Sequence, residues 1–252
     1  MTDSTRRFAS RVDNYVKYRP SYPPEVVGLL SDACGLTSGS LVADIGAGTG
    51  LLAELFLKDG YRVLGIEPNR EMREAGARLL ADYPHYTAID GTAEATTLDD
   101  NSVDLITAGQ AFHWFDREKA RAEFARILRP GGWVALIWNE RRVDSTPFLA
   151  AYERLLRTYS SEYTTLNHRQ IDQSTIAAFF APGTYALHAF ANTQIFDFEG
   201  VKGRLLSSSY TPEPDQPTYQ PMLDELAALV HANQVDGKVA FEYDTNVYYG
   251  QI

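Results

Sequence analysis

The sequence predicts an α/β fold built on a doubly wound, mostly parallel sheet. Three observations carry that prediction. Short apolar segments alternate with helical ones between about Pro23 and Trp138, a glycine-rich turn follows the first of them, and each helical stretch ends near a breaker.

Taken in order, Leu41–Ile45, Arg62–Glu67, Tyr86–Asp90, Val103–Thr107 and Trp133–Trp138 read as strands. Several are almost wholly apolar, as a parallel sheet covered on both faces requires. Leu51–Lys58, Arg70–Ala81 and Arg117–Leu128 read as helices, closed by Gly60, Pro84 and the Pro130-Gly131-Gly132 turn. Ahead of this core, Arg7–Arg19 reads as an amphipathic helix carrying Phe8, Val12, Tyr15 and Tyr18. The Arg19-Pro20-Ser21-Tyr22-Pro23-Pro24 stretch then forces an extended turn before a helix at Glu25–Ala33.

Beyond Trp138 the alternation fades. Helices are expected at Thr146–Tyr159, Asp172–Phe180 and Tyr219–Asn233, and a strand-like run at Ala186–Phe198. A proline-bearing loop covers Tyr210–Pro221, and Val239–Tyr249 alternates as a last edge strand. The expected organisation is one domain over 1–252: an N-terminal lid at 1–24, a cofactor-binding core at 25–138 and an elaboration of the same sheet at 139–252.

Composition narrows the function. Apolar residues make up 44% and charged residues 22%, a folded globular balance. The net charge of −10 repels polyanions, so a nucleic-acid partner is disfavoured; Arg141-Arg142 and Arg6-Arg7 are too sparse to form a basic patch. Cys34 is the only cysteine, which excludes an intrachain disulfide or a thiolate zinc cluster, and its setting is that of a core thiol. No metal site is expected. The N-terminus lacks the apolar stretch of a secretory signal, and no run approaches the roughly 20 apolar residues of a bilayer span. A cytoplasmic protein without a membrane partner is the expectation.

The chemistry is concentrated in Val42-Ala43-Asp44-Ile45-Gly46-Ala47-Gly48-Thr49-Gly50, between an apolar strand and a helix. Gly46, Gly48 and Gly50, with Ala47, let backbone approach a ligand at the carboxyl edge of the sheet. The dinucleotide fingerprint wants a small residue at the position held by Leu51, and the lysine of a phosphate-binding loop is absent. The pattern is instead D-x-G-x-G-x-G, headed by Asp44. Glu67, with Pro68 beside it, closes the next strand 23 residues on and can accept both hydroxyls of a ribose; an acid favouring the following helix dipole is the plain alternative. Asp90-Gly91-Thr92-Ala93-Glu94 closes the third strand. It can place Gly91, Thr92 and Ala93 against an adenine edge with Asp90 accepting from its amino group, or be a simple polar turn.

With Val103–Ile106 and Leu128–Gly132, these blocks fall in the order found in class I S-adenosylmethionine-dependent methyltransferases. More narrowly, from about Phe8 to Trp138 the chain resembles their small-molecule branch, which includes the ubiquinone/menaquinone C-methyltransferases and the trans-aconitate methyltransferases. The resemblance implies a Rossmann-like sheet of seven strands whose last strand is antiparallel. It implies S-adenosyl-L-methionine as donor, S-adenosyl-L-homocysteine as product and a small-molecule acceptor. It also implies that Tyr15, Tyr18 or Arg19 closes over the cofactor, with Arg19 near its carboxylate.

In that fold Gly109–Asp116 faces the methyl group, so Ala111 offers backbone groups to the methionine part while Gln110 and His113 are the polar side chains in reach. The N/D-P-P-Y/F motif of nucleic-acid and protein amine methyltransferases is missing from this stretch. Methyl transfer is an in-line displacement needing alignment above all; His113 is the candidate general base, and packing at the pocket mouth is the favoured alternative. Arg141 or Arg142 meets an acidic substrate or belongs to a solvated turn. Two other readings stay open: a non-catalytic module that binds the same cofactor, and an NAD-binding oxidoreductase.

Overall fold

A computed structural model describes residues 18–160, 163, 172–208 and 210–252. Within them a seven-stranded sheet has the order β3-β2-β1-β4-β5-β7-β6. Its strands are β1 (Leu41–Ile45), β2 (Arg62–Ile66), β3 (Tyr86–Ile89), β4 (Val103–Gly109), β5 (Leu128–Arg141), β6 (Tyr185–Phe196) and β7 (Val239–Gly250). The helices are α1 (Glu25–Cys34), α2 (Leu51–Lys58), α3 (Arg70–Leu79), α4 (Arg117–Ile127), α5 (Pro147–Tyr159), α6 (Gln173–Phe180), α7 (Phe198–Leu206) and α8 (Tyr219–Asn233), with a 3-10 turn at Phe112–Trp114.

The pairs β1–β2, β2–β3, β1–β4 and β4–β5 are parallel. Contacts down β7 run the other way: Gln251 bonds to Gly131, Thr245 to Asn139, and the Arg142 amide to Glu242. Strand β7 is therefore antiparallel to β5, as the resemblance implied. It is not an edge strand, however, since it lies between β5 and β6. Alternating burial along β7 fits an inner position, whereas β6 is largely exposed and forms the edge.

Two further expectations are corrected. The Pro130-Gly131-Gly132 segment does not end a helix in a separate turn; α4 passes directly into β5 at Leu128. Between the pairs Val103↔Leu128 and Leu105↔Trp133, β4 advances two residues and β5 five. The bulge takes up the proline, whose missing N–H would break a regular ladder. Helix α7 was also not anticipated. It follows β6 without a breaker, and the Asp197 side chain caps it by accepting from the Gly200 amide.

The chain divides into two compact units. The described part of one comprises residues 21–139, 172–190 and 245–252. Alternate strand residues there feed two apolar clusters. Val42, Leu105 and Ile137 pack with Val26, Leu30 and Phe56; Ala43, Ile106 and Leu136 pack with Phe124, Ile176 and Phe180. The central strands β1 and β4 are buried on both faces, which explains their nearly continuous apolar sequences. Tyr22, expected in a lid, is buried in the first cluster. The other unit comprises residues 18–20, 140–160, 163, 191–208 and 210–244 among those described. Its own core joins α5, α7 and α8 through Leu149, Tyr152, Val201, Leu226 and Phe241. No helix among the described residues is long and apolar enough to cross a membrane.

Candidate functional site

Parallel pairing of β1 to β4 brings their carboxyl ends to one edge of the sheet, and the segments that follow them carry most of the residues singled out by sequence. Asp44 pairs in register with Thr107 on β4, and the Thr107 hydroxyl donates to Asp44 Oδ1 at 2.9 Å. The second oxygen, Oδ2, is buried with no hydrogen-bond partner, as is the hydroxyl of Thr49 in the glycine loop. Burial pushes the Asp44 carboxyl up to about 7; the Thr107 bond opposes this, and the nearby Glu67 charge adds to it.

Glu67 is held by the loop itself. Its Oε2 accepts from the Gly48 amide and its Oε1 from the Asn69 amide, each at 2.8 Å. Burial raises its pKa, against the pull of the Asn69 and Gly48 amides and of Arg73. Asn69 in turn caps α3 by accepting from the Met72 amide at 3.0 Å. The Asn69 cap and Glu67 amide bonds make the end of β2, the glycine loop and the start of α3 one bonded assembly. Pro68 is exposed beside it.

Gly46 shows why a side chain is excluded from this loop. Its φ is +70°, and an added Cβ would stand 2.6 Å from the Cβ of Ala111. Ala111 thus closes against the loop from the β4 side, where the preceding Gln110 adopts φ +55°, a left-handed conformation uncommon for a side-chain residue. Gln110 donates through Nε2 to the Asn139 carbonyl at 3.1 Å, leaving its Oε1 buried without a partner. His113 is half-buried, its ring 4.5 Å from that of Trp114 and 5.7 Å from that of Trp138.

Asp90 has a mostly exposed carboxylate paired with Arg73 at 3.1 Å, and Arg73 also donates to the Glu67 carbonyl at 2.7 Å. Gly91, Thr92 and Ala93 form a tight turn in which Thr92 and Ala95 exchange both backbone bonds. Arg19 donates to the Ser207 carbonyl at 3.2 Å within the other unit, and Tyr15 lies outside the described residues. Arg142 pairs with Asp244 at the surface, and Arg141 with Glu153.

Sequence reasoning missed two contributors. The ring of Tyr86 covers Gly65, and its hydroxyl feels both Asp44 and Glu67, which together with burial drive its pKa upward. Arg73 is the other, tying the Glu67 backbone to Asp90. The only sequence signal for Arg73 was a basic residue one turn into the helix after Glu67; for Tyr86 there was none.

Residues 43–136 match the family model of a methyltransferase domain. The seven-stranded, mostly parallel sheet that carries this segment is the Rossmann-like fold of solved methyltransferases.

Among relatives, an uncharacterized methyltransferase of Mycobacterium tuberculosis is 43% identical over 139 residues, covering 55% of this chain and 54% of the relative. The chain thus spans about half the length of that mycobacterial relative. A methyltransferase-like protein of Schizosaccharomyces pombe is 26% identical over 247 residues, covering 96% and 94%. Among solved structures, a protein assigned as a type II methyltransferase from Anaeromyxobacter dehalogenans superposes with a TM-score of 0.70 at 24% identity, over 93% of this chain and 98% of that one. A methyltransferase from Geobacter sulfurreducens in complex with S-adenosyl-L-homocysteine superposes with a TM-score of 0.53 at 18% identity, over 99% and 98%.

Proposed function

We propose that the chain binds S-adenosyl-L-methionine at this edge and transfers its methyl group to a small-molecule acceptor. The observation that carries the reading is the pair of acids, Asp44 buried and Glu67 half-buried, beside a glycine loop with no lysine. A pyrophosphate would be repelled by two carboxylates, whereas a ligand bearing an ammonium and a sulfonium relieves their mutual repulsion. The same argument sets the NAD-binding alternative aside.

The donor supplies a methyl carbon already activated by positive sulfur, so no protein nucleophile is required. The unpartnered Asp44 Oδ2 suits an ammonium. Glu67, fixed by two amides, keeps lone pairs for ribose hydroxyls. Backbone of Gly46, Ala47, Gly48 and Gly50 lines the cofactor, with Pro68 alongside. Asp90, Gly91, Thr92 and Ala93 flank the adenine. Ala111 and Gln110 flank the methionine part, and the buried Gln110 Oε1 offers a fixed acceptor there. The ring contacts of His113 favour packing over proton transfer. The acidic sequence supports a small molecule over nucleic acid as acceptor; a cytoplasmic setting without a membrane partner belongs to the same proposal. Tyr15 and Arg19 remain proposed cofactor contacts on resemblance alone.

The test incubates the full chain with methyl-labelled donor and a metabolite extract. Label in a small-molecule fraction, reduced by Glu67→Ala at subsaturating donor, supports the reading. Binding of S-adenosylhomocysteine without transfer to any fraction favours the non-catalytic module, and NAD binding without S-adenosylhomocysteine binding overturns both.

A further inference from the structure

In the unit that contains α5, α7 and α8, the largely buried Arg141 and the buried Arg204 share a setting of tyrosines with one acid among the described residues. Arg141 at the end of β5 donates through Nη2 to Glu153 at 2.6 Å and to the Tyr163 hydroxyl at 3.0 Å. Its guanidinium lies 5.2 Å over the ring of Tyr152. Its other nitrogen, Nη1, is buried with no hydrogen-bond partner.

Arg204 on α7 is 8% exposed, and its Nε donates to the Tyr243 hydroxyl at 3.3 Å. Tyr243 passes that bond on to Gln194 Oε1 at 3.0 Å, which fixes the direction of the guanidinium. No carboxylate stands against Arg204 among the described residues. Tyr152 and Tyr210 lie within electrostatic reach of both arginines.

Among the described residues the charges do not balance. Arg141 and Arg204 contribute two positive charges, and Glu153 one negative charge that it also shares with the exposed Arg157 at 2.9 Å. A buried cation without a counter-ion is strongly disfavoured, and buried charges are normally paired. A guanidinium presents a planar fork matched to carboxylate geometry.

We infer that the Arg141–Arg204 cluster, with Tyr152, Tyr163, Tyr210 and Tyr243, is a binding site for one carboxylate group of a small organic ligand. A single carboxylate neutralises the one surplus charge, whereas a phosphate dianion would leave a buried excess of negative charge. The tyrosine rings supply the apolar walls that a small acid needs, while the Tyr163 and Tyr243 hydroxyls, which donate to Glu153 and Gln194, accept from the two arginines and hold them in place. The inference stands independently of the donor reading, since it concerns residues outside the glycine-loop unit.

Calorimetric titration of the full chain with acetate, succinate, citrate and inorganic phosphate at constant ionic strength tests it. At least one carboxylate is expected to bind saturably, more tightly than phosphate, and to raise the unfolding temperature. In Arg204→Met that affinity falls at least tenfold, while the unfolding temperature without ligand is unchanged or higher. No saturable carboxylate binding, a preference for phosphate, or unaltered affinity in folded Arg204→Met overturns the site. If Arg204→Met does not fold, Tyr243→Phe decides: it removes the bond that aims Arg204, so affinity weakened at least threefold supports the site and unchanged affinity overturns it.

Discussion

The Glu67 carboxylate accepts the amide of Gly48 at 2.8 Å, joining two points 19 residues apart in the chain. That bond makes the acid part of the loop it serves. Replacing Glu67 by Ala removes an acceptor of two backbone amides as well as the proposed ribose contact. We expect S-adenosylhomocysteine affinity to fall by about 1–3 kcal/mol, read by calorimetry. Glu67→Gln, which keeps one carbonyl acceptor, should fall between wild type and Ala; equal affinity in all three proteins removes Glu67 from the site.

Asp44 makes stability and donor binding depend on pH in opposite directions. Its folded value of about 7 lies above the 3.8 of an ordinary aspartate, so the fold favours the protonated form. The contribution to stability is full below about pH 4 and is lost as pH rises through 7, an effect on the order of 4 kcal/mol at most. Asp44→Asn should flatten that slope in chemical denaturation. A cationic donor needs the ionised form, so wild-type affinity should weaken as pH falls from 8 to 6. A pH-independent affinity contradicts an Asp44–ammonium contact.

Gly46→Ala forces a left-handed conformation on alanine and drives its methyl into Ala111. The two effects together should cost about 2–5 kcal/mol. Ala111→Gly relieves only the collision, so the double variant should recover part of the loss, with a coupling of about 0.5–3 kcal/mol. Strict additivity in urea unfolding would mean that the loop and the β4 end do not meet in solution.

For His113, packing between Trp114 and Trp138 predicts that His113→Ala lowers the unfolding temperature by a few degrees, corresponding to about 1 kcal/mol, and keeps turnover within about tenfold. A general base would cost about 10²–10⁴ in rate. A hundredfold loss with unchanged stability would assign the base role to this ring.

The glycine loop, Glu67 and the parallel core were legible because their signals are local. Asp44 to Gly50 is one continuous pattern, and strands buried on both faces are apolar from end to end. What the sequence hid was set by contacts between distant positions. Tyr86 reaches Gly65 only because β2 and β3 pair, and Arg204 meets Tyr243 across 39 residues. Helix α7 escaped notice because Gly200 and Gly203 depress helix propensity, while a Tyr18 ring packed against Gly203 supplies the compensating contact. The Pro130-Gly131-Gly132 segment reads locally as a turn, and only the pairing with β4 shows that the strand runs through it as a bulge.

The place of β7 between β5 and β6 has a cost during synthesis. The far side of β5 stays an open row of amides and carbonyls until a strand beginning 98 residues later, from Arg141 to Val239, has been made. At about 5–20 residues per second that interval is roughly 5–20 s. Through it the nascent chain carries a long, apolar, unpaired strand edge, the feature that recruits other chains into aggregates. Substitutions that weaken β7 should therefore lower the yield of soluble protein well before they alter anything at the opposite side of the sheet.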